Sequence, residues 1–161
     1  MVTELLQKYG VAPSRLTLEI TESTVMDDPE RAQVALARLR ALGVSLAMDD
    51  FGTGYSSLAY LKRLPLDEIK IDKAFVLGLG ADADPADVAI VRAVIAMARP
   101  LRCEVVAEGV ESMETWTLLR EPGCDLAQGY YLSRPLPAAA LEQWARTASW
   151  GGSRQDAVTA A

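Results

Sequence analysis

The chain has 161 residues, half of them hydrophobic, and its 22 acidic and 16 basic side chains give a net charge of -6. That composition supports one domain with a sizeable core and excludes a disordered chain, and the lack of any Lys- or Arg-rich window argues against a nucleic-acid-binding surface. No uninterrupted apolar run reaches the roughly 18 residues of a membrane helix, and Met1-Val2-Thr3-Glu4 lacks the layout of a signal peptide, so the expected location is cytoplasmic, or the cytoplasmic part of a larger protein.

Leu5, Leu6 and Tyr9 line one face of a short helix that Gly10 stops. A repeated alternation then begins, each strand-length apolar run followed by a helix of the kind that packs on a parallel sheet. The first run is Leu16 to Thr21. Its helix spans 28–42, with Asp28 as N-cap, Pro29 at the first helical position and Gly43 as the stop. A second run, Val44 to Met48, ends at two adjacent carboxylates, Asp49 and Asp50, and a Gly-rich loop. Ser56 or Ser57 caps the next helix, and Ile69 to Asp72 forms the third run.

Asp84 and Pro85 start a helix whose apolar face carries Val88, Val91, Val94, Ile95 and Ala98. The fourth run is Val105 to Glu108, and Ser112 caps the helix carrying Trp116 and Leu119. After the Pro122-Gly123 break comes a fifth run, Leu126 to Tyr130, and a last helix begins near Pro137. Residues 1–148 read as the folded part and 149–161 as a disordered tail.

The chemistry available is narrow. Histidine is absent, which removes Ser-His and Cys-His nucleophiles, zincin motifs and His-ligated iron. Cys103 and Cys124 lack the paired spacing of a zinc site and read as reduced, packed thiols. Catalysis here therefore runs on carboxylates, lysine, amides and metal.

Each predicted strand carries a polar residue at or near its C-terminal end: Glu19, Asp49, Lys70, Glu108 and Gln128. One acid at a strand end is more often a cap or a surface charge than a ligand. Lys70, between two isoleucines, is harder to dismiss, because a strand-interior lysine is either salt-bridged or functional. In parallel α/β folds ligands sit at the carboxyl ends of the strands, and in a (β/α)8 barrel catalytic groups come from several strand ends. If these side chains face inward, the period of two turns Leu18, Ile20, Met48, Ile69, Ile71, Val105 and Ala107 outward toward the helices.

Adjacent carboxylates repel and resist joint ionisation, so the Asp49–Asp50 pair suggests a divalent cation with hard oxygen ligands. The whole set fits metal-assisted hydrolysis of a phosphodiester. Two cations about 4 Å apart can share Asp49, while Lys70 orients a water or offsets charge and Glu108 holds the water or helps ligate the metals.

The stretches LTLEITES, MDDFGTGYSSL, IKIDKAFV, VVAEGVE and GCDLAQGYYLSRPLP resemble, in order from about Leu16 to Pro137, the successive motifs of the EAL domain family. That resemblance implies the last five or so βα units of a (β/α)8 barrel phosphodiesterase, which hydrolyses the bacterial signalling messenger cyclic di-GMP to linear pGpG with Mg2+ or Mn2+. It implies Glu19, Asp49 and Asp50 as metal residues, Lys70 at the catalytic water, Glu108 as a metal-site and water-positioning residue, and Gln128 as the supporting amide. Glu22 matches the glutamate that anchors the loop after the acidic pair.

The resemblance also implies a homodimer and an upstream sensory or GGDEF-type domain in the parent protein. The Glu-Ala-Leu motif, its arginine and a metal-binding asparagine belong to strands upstream of Leu16 in the family, so the expectation is a chain that starts about three strands late and turns over little by itself. The alternative is a non-catalytic module that senses cyclic di-GMP or binds a protein. Against that alternative, every matching position from Glu19 to Gln128 is intact.

Overall fold

The alternation of apolar runs and capped helices produces a parallel sheet with helices on one face. The structure is a computed structural model, and it describes residues 1–54, 58–80 and 83–148. Helix α1 (Val2–Tyr9) ends at Gly10, whose φ of 64° is the left-handed conformation that a glycine adopts without penalty. After a 3-10 turn at Pro13–Arg15 come β1 (Thr17–Thr21), α2 (Glu22–Asp27), α3 (Pro29–Ala41) and β2 (Ser45–Phe51). Then follow α4 (Leu58–Leu61), β3 (Glu68–Ile71), α5 (Lys73–Val76), α6 (Pro85–Leu101) and β4 (Glu104–Glu108). The last elements are α7 (Met113–Arg120), β5 (Leu126–Gln128) and α8 (Ala138–Thr147).

Three expected N-caps form. Asp28 accepts from the Arg31 amide, Asp84 from that of Ala86 and Ser112 from that of Thr115, each satisfying a donor that the first helical turn leaves free.

The five strands run parallel in the order β1-β2-β3-β4-β5. Each strand adds to the same edge, which is the winding of a barrel and not of a doubly wound sheet. Met48, Ile69, Ile71, Val105 and Ala107 are buried with Val91, Ile95 and Ala98 of α6 and Trp116 and Leu119 of α7. A smaller cluster joins Leu6 of α1, Leu36 of α3, and Val44 and Leu46. The strand residues expected to face the helices do so, and the alternate positions line the opposite face.

Three features differ from the sequence reading. Strand β2 does not stop at Met48 but runs through both aspartates to Phe51. Helices α2 and α5, of six and four residues, were not expected, because elements so short show no helical periodicity. The fifth strand ends at Gln128, short of the expected Tyr130. The Ser56 or Ser57 cap and the tail at 149–161 lie outside the described residues. Cys103 and Cys124 are free thiols, Cys124 buried and Cys103 partly so.

Candidate active site

The site is made by an irregularity in β2. Ala47 and Met48 pair regularly with Glu68 and Ile69 of β3, but the next pairing is Phe51 with Ile71. Two residues, Asp49 and Asp50, thus stand opposite the single residue Lys70, which is a β-bulge. Asp50 absorbs the extra residue with a left-handed φ of 54°, a conformation uncommon outside Gly, Asn and Asp.

The bulge decides where the carboxylates point. Strict alternation would turn Asp50 toward the helix layer and Phe51 away from it. Instead Phe51 is buried in the main core, and Asp49, Asp50 and Glu108 each bring one carboxylate oxygen within 4.8 Å of the others.

Lys70 organises the remaining charges. It is only 3% exposed, and its Nζ lies 2.9 Å from Glu19 Oε1, 3.1 Å from Asp49 Oδ1 and 2.6 Å from Glu108 Oε1. Burial works against its charge, but the hydrogen bonds it donates to Glu108 and then Glu19, with the Asp49 carboxylate beside them, outweigh that and hold the ammonium above the ordinary lysine range. Glu108 shifts upward because burial outweighs the lysine beside it. Asp50 also shifts upward, through burial, the Asp49 charge and a side-chain hydrogen bond with Asp72.

Asp49 Oδ1 is buried and has no hydrogen-bond donor. Its 3.1 Å approach to Lys70 is therefore a charge contact without hydrogen-bonding alignment. An orphaned carboxylate oxygen normally costs free energy unless something fills its place. Four carboxylates against one ammonium leave the cluster net negative, and all the donors are oxygens. Both facts suit a hard divalent cation, and the residues present fit one.

Glu22 opens α2 directly after β1 and is 1% exposed. Its Oε2 accepts from the Gly52 amide at 3.0 Å, and a Cβ on Gly54 would stand 2.8 Å from its Oε1. A buried side chain on α2 thus reaches the turn after the acidic pair.

Gln128 sits opposite Glu108 in the β4–β5 register. Both border an open pocket of about 390 Å³ with Lys73, Glu111 and Tyr130. Gln128 stands outside the lysine-centred ion contacts. The sequence reading missed Asp72, which caps α5 through the Ala74 amide and whose charge helps raise the Asp50 carboxyl. Its signal was present, an acid two residues after Lys70, but it read as part of the third strand.

The same pattern occurs in known proteins. The profile of the EAL domain matches residues 1–135. This chain belongs to the EAL domain family. It is 51% identical over 145 residues to the cyclic di-GMP phosphodiesterase NbdA of Pseudomonas aeruginosa, covering 90% of this chain and 18% of that protein. Among solved structures, the MucR phosphodiesterase in complex with cyclic di-GMP superposes with a TM-score of 0.83 at 48% identity, over 87% of this chain and 56% of that one. Klebsiella pneumoniae BlrP1, solved with manganese and cyclic di-GMP, gives a TM-score of 0.75 at 37% identity, over 83% of this chain and 34% of that one. The chain thus spans about a fifth of its curated relative. Its sequentially wound sheet is the TIM-barrel type of the EAL domains it resembles.

Proposed function

We propose that this EAL chain supplies the lysine, glutamate and acidic pair of a metal-dependent phosphodiesterase that opens cyclic di-GMP to linear pGpG. The observation that carries the reading is the buried Lys70 ammonium held by three carboxylates, on three different strands, beside an acidic pair that a bulge keeps on the ligand face. The relatives' printed activities and their cyclic di-GMP complexes support the choice of substrate, and the oxygen-only donor set supports Mg2+ or Mn2+.

Asp49, Asp50 and Glu108 would hold the metal, with Glu19 next to them through Lys70. When bound, divalent cations polarise the phosphate and lower the pKa of a water. Lys70 Nζ offsets the carboxylates so that they remain ionised together, and its unused donor capacity can orient a nucleophilic water. Glu108, held 2.6 Å from Lys70 Nζ at the end of β4, is placed to position that water or to help ligate the metal. Gln128 and Glu108 line the pocket in which a substrate group can sit, and Glu22 holds the turn after the acidic pair.

We assign the folded part to residues 1–148 and place the site in the cytoplasmic portion of a larger signalling protein that works as a homodimer. One P. aeruginosa relative, 49% identical, is the bifunctional diguanylate cyclase/cyclic di-GMP phosphodiesterase MucR, which supports a GGDEF-type partner domain. No helix among the described residues is long and apolar enough to cross a membrane.

The test is chromatographic detection of pGpG after incubation with Mn2+ and cyclic di-GMP. The chain is assayed alone and joined to the preceding segment of the MucR phosphodiesterase domain. Product that disappears with Lys70→Ala supports the reading. No product from folded, Mn2+-loaded protein in either form overturns it.

A further inference from the structure

The four-residue helix α5 is wedged between the two strand ends that carry Asp49, Asp50 and Glu108. On its β2 side the Phe75 ring lies against Gly52, where an added Cβ would stand 3.1 Å from Phe75 Cε2. On its β4 side Gly109 takes a left-handed φ of 72° so close to α5 that an added Cβ would stand 2.7 Å from Lys73 Cβ and 3.3 Å from its Cα. Asp72 is the N-cap of α5, its carboxylate accepting from the Ala74 amide at 2.7 Å.

These contacts answer a physical question the bulge raises. A left-handed non-glycine residue costs about 1–2 kcal/mol and persists only where its surroundings over-determine it. Asp50 is such a residue. Two residues on, Gly52 is pinned through its amide by Glu22 and covered on another side by the Phe75 ring. Glu108 is followed by its own left-handed glycine, in contact with the opposite side of the same helix. Backbone on one side and an aromatic ring on the other leave α5 little freedom to shift, because packed groups do not deform continuously.

We infer that α5 is a spacer setting the separation between the acidic pair and Glu108, with Phe75 as its positioning residue toward β2 and the Lys73–Gly109 contact as its stop toward β4. Phe75 touches none of the three carboxylates in this role. It acts through Gly52, and the consequence for metal binding rests on the function proposed above. A purely structural Phe75, which also packs on the main core, would stabilise the whole domain without linking the two strand ends.

Amide hydrogen exchange by NMR on the 161-residue chain separates these cases, with the Gly52 rate taken relative to the Ile95 amide of α6 in the same protein. Gly109→Ala pushes on α5 from the β4 side, Phe75→Leu removes the ring from the β2 side, and Leu119→Ala is a core control of comparable destabilisation. The expected result is about tenfold faster relative exchange at Gly52 in both Gly109→Ala and Phe75→Leu, with no change in Leu119→Ala, and a parallel weakening of Mn2+ binding followed by electron paramagnetic resonance, of the size that lost support around metal ligands produces. If Gly109→Ala alters exchange only at 108–110, or Leu119→Ala affects Gly52 equally, the spacer is overturned. It is also overturned if the variants loosen Gly52 yet bind Mn2+ as the unsubstituted chain does. Absence of Mn2+ binding in every protein, the unsubstituted chain included, overturns the metal reading instead, and the exchange at Gly52 still decides the spacer.

Discussion

Lys70 Nζ lies 2.6 Å from Glu108 Oε1 on the neighbouring strand, the shortest of three ion contacts converging on one buried ammonium. The pair couples the lysine of β3 to the glutamate of β4, and through Asp49 to the bulge in β2. Replacing Lys70 with Met keeps the length of the side chain but strands the carboxylates. The expected cost at pH 7 is about 3 kcal/mol, the low end for breaking a buried pair, because Glu19 is half exposed and screened. The sign with pH follows. Without the lysine the Glu108 pKa, already raised by burial, rises further, so the penalty belongs to the ionised carboxylates, shrinks as pH falls toward 4 and grows as pH rises through the raised value. Urea unfolding at pH 4.5 and 7.5, with EDTA present, reads the difference.

Removing or supplying the cation should register in stability as well as turnover. At a Mn2+ concentration 100 times its Kd, the folded chain should gain about 2.7 kcal/mol. EDTA should reverse the gain, and Asp49→Asn should remove most of it by taking away a charged ligand. A thermal melt with Mn2+ that moves as far in Asp49→Asn as in the unsubstituted chain would contradict the assignment of Asp49.

Glu22 and Gly54 are mutually constrained. A methyl on Gly54 would stand 2.8 Å from Glu22 Oε1, and Glu22, at 1% exposure, has no room to retreat. Gly54→Ala should therefore cost about 1–3 kcal/mol, as overpacking of a closed site does. Shortening the neighbour in Gly54→Ala/Glu22→Ala should recover part of that cost, a coupling that a double-mutant cycle measures.

Cys124 gives a pH dependence remote from the acidic site. Burial pushes its thiol up to about 12, against partial relief from the Leu126 backbone. The unfolded thiol ionises near 9. A raised folded pKa means that stability is unaffected below that value and falls as pH rises from about 9 toward 12, with a slope up to about 1.4 kcal/mol per pH unit. Cys124→Ala should show a shallower decline over that window. The same burial should leave Cys124 unreactive to iodoacetamide at pH 8 until the chain is unfolded.

Arg102 ends α6 in a left-handed conformation, with φ of 60° and its amide bonded to the Ala98 and Arg99 carbonyls. Glycine fits that position without the Cβ penalty, and after its extra unfolded-state entropy the net gain from Arg102→Gly should be about 0.5 kcal/mol. A small rise in melting temperature with unchanged Mn2+ binding is the expected reading, since Arg102 lies at the opposite end of β4 from Glu108.

Much of this architecture is legible in the sequence. The capped helices at Asp28, Asp84 and Ser112 and the outward apolar residues of the strands depend on neighbours a few positions away, which the chain displays directly. So does the placement of Glu19, Asp49, Lys70 and Glu108 on one face of their strands, because the period of two is local to each strand. The one-turn helix α5 carries no such signature, and neither it nor its cap at Asp72 was anticipated.

What the residues determine by themselves is thus the inventory and its side: one lysine, its carboxylates and an amide at successive strand ends, with no histidine to compete. What only the tertiary structure decided is how Asp49 and Asp50, neighbours that regular pleating would send to opposite faces, come to serve one site. That depends on β2 pairing with β3 one residue out of step, with Phe51 drawn into the core and Gly52 held between Glu22 and Phe75. A register shift is a property of two strands packed together, and no single strand's sequence contains it.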